Sequence, residues 1–180
     1  MCKKIIISLF VSSVLTSVAA PAFAVDTGTV TFNGKILADS CAVDVNGTAT
    51  NGTVTFNSLS QTAFGSDKKV GDSQPFAITL TGCDAAINNL NIKFVGPRVS
   101  GYDEQVLQPT GVATNVGVRV LPEGSSNYVK FDGSDPEAAL NKANGQSVVF
   151  NYKAEVIQVG SDLPTVGDYT TQATYTLIYR

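Results

Sequence analysis

The sequence contains no histidine and no tryptophan among its 180 residues. Without histidine, Ser-His-Asp and Cys-His triads cannot form, and the commonest zinc ligand is missing. Paired carboxylates could still act as they do in a glycosidase, but no spacing among the fifteen acidic residues singles out a pair. The composition therefore disfavours an exported hydrolase, and no motif indicates a cofactor or a metal ion.

Basic residues are also few. Two of the twelve, Lys3 and Lys4, lie at the extreme N-terminus, and without them ten basic residues face fifteen acidic ones, a net charge of −5. Such a chain has no basic patch that could release the counterions of a phosphate backbone. Nucleic-acid binding is therefore disfavoured.

The N-terminus has the three parts of a secretory signal peptide. Lys3 and Lys4 form a basic start, residues 5–20 form an apolar run, and residues 21–24 read PAFA, an Ala-x-Ala cleavage signal. The alternative is a membrane anchor, but the run is shorter than the roughly 20 residues of a span. We expect residues 1–24 to be removed, so that the mature chain begins at Val25.

Cysteine is scarce, and its placement is informative. Cys2 should leave with the signal peptide, which leaves Cys41 and Cys83 as the remaining pair. An even pair in an exported chain indicates one disulfide and an oxidising compartment such as the periplasm or the cell exterior.

Apolar residues recur with period two through most of the mature chain, a pattern that predicts half-buried strands separated by Gly-, Asn- and Asp-rich turns. About seven short strands without an internal boundary favour an all-β, immunoglobulin-like antiparallel sandwich. For residues 136–143 a single helical turn and a loop both remain open. The alternating sets are Val30/Phe32, Val54/Phe56, Phe76/Ile78/Leu80, Leu90/Ile92/Phe94, Val116/Val118/Val120, Val148/Phe150/Tyr152/Ala154 and Ala173/Tyr175/Leu177/Tyr179.

Two Asn-Gly-Thr triplets begin at Asn46 and Asn51 and match the glycosylation sequon. Asn-Gly also forms tight turns at strand ends. We favour turns, because both triplets lie in a Gly- and Thr-rich segment.

Several segments together resemble the major subunits of type 1 and related chaperone–usher fimbriae. Segment 28–36 reads GTVTFNGKI, like the family's opening Gly-x-Val-x-Phe-x-Gly-x-Val/Ile, and DSCAV follows around Cys41. Segment 75–83, PFAITLTGC, is similar to the strand that carries the second cysteine. Residues 113–118 and the ending 173–180, with its penultimate tyrosine, complete a resemblance that covers nearly the whole mature chain.

The resemblance implies a sandwich that lacks its last strand, in a structural subunit exported through the periplasm into an adhesive extracellular fimbria. Residues 25–36 would be a donor extension, and residues 37–180 the pilin domain. The partners it implies are identical or homologous pilin subunits, a periplasmic chaperone and an outer-membrane usher. The chaperone would bind the C-terminal strand, at Ala173, Tyr175, Leu177, Tyr179 and Arg180.

Successive side chains of a strand point to opposite faces, so every second residue of the donor extension would enter the groove. Gly28, Val30, Phe32 and Gly34 form the candidate donor face. The alternative is that residues 25–36 form an ordinary first strand of their own sheet. At the level of function, a minor adaptor or terminator pilin and a secreted carbohydrate-binding sandwich remain open.

Overall fold

The computed structural model describes residues 29–34, 41–87, 89–134, 140–141 and 147–179, and for 140–141 it describes the backbone alone. The chain divides into two compact units, residues 1–35 and 36–180. In the first unit, residues 29–34 form no strand. The predicted signal peptide and Gly28 lie outside the described residues.

The second unit contains nine described strands and one short 3₁₀ turn, Gln61–Ala63, which the side chain of Ser60 caps by accepting a hydrogen bond from the main-chain nitrogen of Thr62. The described residues form no α-helix, and they contain no helix long and apolar enough to span a membrane. The strands are β1 Ala42–Val45, β2 Val70–Thr81, β3 Asn89–Val95, β4 Thr110–Gly111, β5 Val116–Pro122, β6 Leu140–Asn141, β7 Val148–Gln158, β8 Tyr169–Thr170 and β9 Thr174–Tyr179.

Every pairing between these strands is antiparallel. One sheet has the order β1-β2-β7-β5, a second has the order β6-β3-β9, and β4 pairs with β8. The prediction of an all-β, antiparallel sandwich is confirmed.

The core forms where the inward-facing residues of the two larger sheets meet. Ile78 and Leu80 of β2 are almost fully buried, as the alternation predicts for one face of a strand. Across the sandwich, the ring of Phe94 on β3 contacts that of Tyr152 on β7 edge to face, with centroids 5.6 Å apart. A second edge contact joins Phe94 to Phe131. Aromatic rings thus join the sheets at the centre of the molecule.

The predicted disulfide is confirmed: Cys41 and Cys83 are joined with an S–S distance of 2.02 Å. It ties the start of β1 to the loop after β2, across a sequence separation of 42 residues. Closing a loop of this size should contribute about 4 kcal/mol on the chain-entropy model.

Three local predictions differ from or are refined by the structure. Val54 and Phe56 alternate as expected but form no strand, because no described strand runs beside them. Of residues 136–143, Leu140–Asn141 is a strand and not a helical turn, and the remainder lies outside the described residues.

Asn46 and Gly47 both have positive φ, 53° and 79°, as in a tight hairpin turn. The turn interpretation of the first triplet is therefore supported.

Candidate functional site

An open groove of about 1420 Å³ runs along the second unit. Two stretches of twelve consecutive residues, 50–61 and 164–175, line it on its two sides. We call these stretches the first rim and the second rim.

Two hydrogen bonds connect the rims near their ends. The hydroxyl of Tyr175 donates to the main-chain oxygen of Thr50 at 2.8 Å, and Nε2 of Gln61 donates to the main-chain oxygen of Pro164 at 2.7 Å. The start of the first rim therefore lies beside the end of the second rim. The end of the first rim lies beside the start of the second. The two rims run antiparallel.

Core residues from both large sheets reach into the lining between the rims. They include Ile78 of β2, Phe94 of β3 and Val118 of β5, all buried. The groove therefore leads directly to the hydrophobic interior.

The rims themselves present apolar side chains that are only half buried. Val54 and Phe56 on the first rim, and Tyr169 and Tyr175 on the second, pack against the core cluster yet keep part of their surface exposed. Burial raises the pKa of both tyrosines, so they stay neutral at physiological pH. A strand laid between the rims would cover this remaining apolar surface.

The lining is almost uncharged. Among the described residues that line the groove, Asp168 is the single charged one. A long, nearly uncharged channel lined by both polar and apolar side chains, with a carboxylate near one end, suits an extended segment of chain.

Strand β9 begins within the second rim, at Thr174, and has one paired edge. Among the described strands it pairs with β3 alone, with Leu177 opposite Ile92 and Tyr179 opposite Leu90. Both side chains are half buried and pack against the core. The other edge of β9 can accept main-chain hydrogen bonds from an added strand.

The predicted C-terminal residues are thus only partly brought together. Tyr175, Leu177 and Tyr179 share the inward face of β9, whereas Ala173 is exposed and precedes the strand. Arg180 lies outside the described residues.

The candidate donor face is represented by three described residues. Val30 and Phe32 are 76% and 91% exposed, and nothing lies within 4 Å of the place where Gly34 would carry a Cβ. Large apolar side chains this exposed are typical of surfaces that await a partner. The candidate Gly28 lies outside the described residues.

A buried ionic cluster on the outer side of β7 was not predicted from the sequence. Glu155 is 4% exposed and accepts hydrogen bonds from Arg119 and Tyr128, while its other oxygen lies 2.8 Å from Nζ of Lys153. Burial alone would raise the pKa of Glu155, but the hydrogen bonds from Lys153 and Arg119 outweigh it and hold that pKa below its ordinary value. Arg119 and Glu155 are 36 residues apart, so local patterns carry no signal for this pair.

No group of three or more metal-ligating side chains occurs within the parts of the chain that the structure describes.

Comparison with known proteins identifies the family. The family model described as "Fimbrial protein" matches residues 30–180. The major fimbrial subunit SMF-1 of Stenotrophomonas maltophilia is 32% identical over 85% of this chain and 92% of that protein. The minor fimbrial subunit HifD of Haemophilus influenzae is 30% identical over 91% of this chain and 78% of that protein.

A solved chaperone–usher pilus contains a chain with the same fold. It superposes with a TM-score of 0.65 and 25% identity, and the match covers 89% of this chain and all of that one. The chain belongs to the fimbrial protein family, whose members are non-enzymatic structural subunits of extracellular fimbriae.

Proposed function

We propose that this subunit polymerises by strand donation: residues 25–36 of one copy enter the groove of the next copy and complete its sandwich. The observation that carries the proposal is the groove itself, which opens to the core beside an edge of β9 that no described strand pairs. Addition of an extended segment to an exposed sheet edge is an established mode of recognition, and pilin assembly is one of its known examples.

The length of the donor extension fits the groove. Each rim runs over twelve residues, and so does the segment 25–36. A fully extended chain advances by at most about 3.3–3.6 Å per residue, so a donor of this length can reach along the whole groove.

The chemistry of the donor face fits as well. Val30 and Phe32 would pass from high exposure to burial, which is worth roughly 1.5–3 kcal/mol for each side chain. The polar Thr29, Thr31 and Asn33 would face outward. Each main-chain hydrogen bond to the edge of β9 would add about 1 kcal/mol.

The same contact explains growth into a fibre. A donor segment and a groove are different surfaces of one molecule, so the contact is head-to-tail and does not close on itself. Each added copy presents a new groove, and the result is an open filament that serves adhesion.

Before assembly the groove needs a temporary occupant, because an open edge beside apolar surface invites aggregation. We assign this role to a periplasmic chaperone that binds along β9, at the face of Tyr175, Leu177 and Tyr179. The order of export would be cleavage after Ala24, chaperone binding, and delivery to an outer-membrane usher.

Negative-stain microscopy of cells that make the protein with its export machinery tests the proposal. Phe32→Asp should abolish filaments, because an unpaired carboxylate in an apolar groove costs several kcal/mol. The matched control is Thr31→Asp, on the opposite face of the same segment, which should leave filaments intact. Equal filament numbers in both variants would contradict strand donation.

One relative is named a major fimbrial subunit and another a minor one. The subunit could therefore form the length of the fibre or occupy a single position in it. We favour the major subunit. Antibody label along the whole filament supports it, and label at one end would assign the chain to a minor adaptor or terminator.

A further inference from the structure

Two loops next to the groove expose apolar side chains although both loops are tightly held. They comprise residues 111–115 and 163–168, and we call them the loop pair. Val112 is 73% exposed and Val166 is 79% exposed, and Leu163 is exposed as well. The loop pair also carries Pro164, Thr165 and Gly167, which line the end of the groove.

Main-chain hydrogen bonds hold the loops in place. The nitrogens of Val112 and Ala113 both donate to the oxygen of Asp168, at 2.9 and 3.2 Å. The nitrogen of Thr165 donates to the oxygen of Thr114 at 3.2 Å, and the nitrogen of Thr114 donates back to the hydroxyl of Thr165 at 2.8 Å. Gly167 packs so closely that a Cβ there would lie 2.7 Å from that of Val112. The valines are thus presented on a pre-organised surface, which lowers the entropic cost of binding.

We propose that the loop pair is a second contact between consecutive subunits, on which the body of the donating copy docks after its extension has entered the groove. This inference rests on the proposed strand donation and extends the contact to Val112 and Leu163, which lie outside the groove lining and which strand donation alone does not require. The occupant is a second copy of this chain.

The direction of the donor in the groove determines where the body of the donating copy comes to lie. Every described strand pairing is antiparallel, and the second rim runs into β9 at Thr174 and Tyr175. A donor antiparallel to β9 and to the second rim has its residues 34–36 near Pro164, beside the loop pair.

Charge favours the same direction. The donor segment has one acidic residue near its start, Asp26, and one basic residue near its end, Lys35. The groove has Asp168 as the single charge among its described lining residues, at the loop-pair end. The antiparallel direction brings Lys35 to the end of the groove that carries Asp168, about three residues from it, whereas the parallel direction would bring Asp26 to the same place and create a repulsion.

The short connection keeps the donating body close. Four residues separate Ile36 from Cys41, whose disulfide to Cys83 anchors the start of the domain. Even fully extended, this connection reaches no more than about 18 Å. The end of the donating copy that carries Cys41 and Cys83 must therefore stand next to the loop pair of the accepting copy.

The test separates binding of the extension from docking of the body. The first readout is the rise in melting temperature when a synthetic peptide of residues 25–36 is added to a mature chain carrying Phe32→Asp. The second readout is the rate of subunit assembly into filaments, measured with an intact Phe32. The variants compared are Val112→Asp and the matched control Val149→Asp, an exposed valine on β7 away from the groove lining.

We expect Val112→Asp to keep the full rise in melting temperature on addition of the peptide. It should slow assembly about tenfold, which corresponds to the free energy of burying one valine side chain. Val149→Asp should change neither readout. The proposed docking surface is contradicted if Val112→Asp assembles at the native rate, or if this variant loses peptide binding to the same extent as it loses assembly. A peptide that fails to stabilise the chain with native Val112 instead contradicts strand donation.

A cross-linking measurement covers the case in which Val112→Asp fails to fold. A photoreactive phenylalanine analogue at Leu163 in assembled filaments should join to the neighbouring subunit at peptides that contain Cys41 or Cys83. Cross-links that map elsewhere, or a complete lack of intersubunit product in filaments, contradict the proposal.

The direction of the donor has its own charge-exchange test. A peptide with Lys35→Glu should bind about threefold more weakly, the size expected for an exposed ion pair. Asp168→Lys in the accepting chain should restore its binding. Absence of this restoration contradicts the antiparallel direction, and with it the placement of the donating body.

Discussion

The hydroxyl of Tyr175 donates a 2.8 Å hydrogen bond to the main-chain oxygen of Thr50, 125 residues away in the chain. It joins the start of β9 to the opposite side of the groove. The phenol ring also packs against the core cluster. One side chain thus both lines the groove and sets the separation of its rims at this end.

Tyr175→Phe removes this hydrogen bond and keeps the ring. We expect the free energy of unfolding of the isolated subunit to fall by about 1 kcal/mol, the net value of one such bond. Urea titration measures the change. Tyr169→Phe is the matched control on the same rim, since its hydroxyl makes no hydrogen bond with described residues, and it should cost less than about 0.5 kcal/mol. Equal losses in the two variants would show that the bond to Thr50 contributes nothing.

Tyr179→Asp tests the proposed role of β9 in chaperone binding. Tyr179 shares the inward face of β9 with Leu177, so a carboxylate there enters apolar surroundings at a cost of several kcal/mol. We expect the complex with the chaperone to be lost from co-purification and the subunit to be degraded.

Thr176→Asp is the control for this variant, because Thr176 is exposed on the opposite face of the same strand. Its chaperone complex should form in normal yield. Normal yield from Tyr179→Asp as well would refute the assignment of the inward face of β9 as the chaperone site.

Glu155 predicts an acid sensitivity of the folded domain. Because hydrogen bonds hold its pKa below the ordinary value of about 4.3 in the folded state, its ionised form stabilises the fold. That contribution is complete above the ordinary pKa and is lost as pH falls through the lower, folded-state pKa. Glu155→Gln should therefore be less stable than the native sequence at neutral pH, and the difference should shrink on acidification.

Thermal unfolding of both proteins from about pH 7 to about pH 3 measures this difference. Glu123→Gln, at an exposed carboxylate, is the control and should stay close to the native sequence throughout. If the difference in melting temperature between Glu155→Gln and the native sequence stays constant over this range, the ionised carboxylate of Glu155 does not stabilise the fold.

The parts of the fold that repeat locally were predictable from the sequence. Alternation at Ile78 and Leu80, and again at Phe150 and Tyr152, correctly placed these side chains in the interior, because period two sets which face of a strand a residue occupies. Phe76, in the same alternating set, is half buried and packs against the core. The disulfide was predicted from the expected removal of residues 1–24, which would leave a single pair of cysteines.

The groove was not predictable in its detail. Val54 and Phe56 have the same alternation as the true strands, yet a strand also needs a neighbour with which to pair, and none of the described strands supplies one. Likewise, the contacts from Tyr175 to Thr50 and from Gln61 to Pro164 join residues more than a hundred positions apart. Such contacts depend on the complete fold, and no local pattern encodes them.

The most direct test of strand donation is a thermal-shift titration. The receiver is the mature chain carrying Phe32→Asp, which should fold and form its disulfide because residues 25–36 complete a neighbour and not their own domain. A synthetic peptide of residues 25–36 should raise its melting temperature by several degrees at saturation, since a ligand at a hundred times its Kd adds about 2.7 kcal/mol. The same peptide with Phe32→Asp should give no rise. A receiver that fails to fold under conditions in which the chain with native Phe32 folds, or a melting temperature that neither peptide changes, would contradict strand donation.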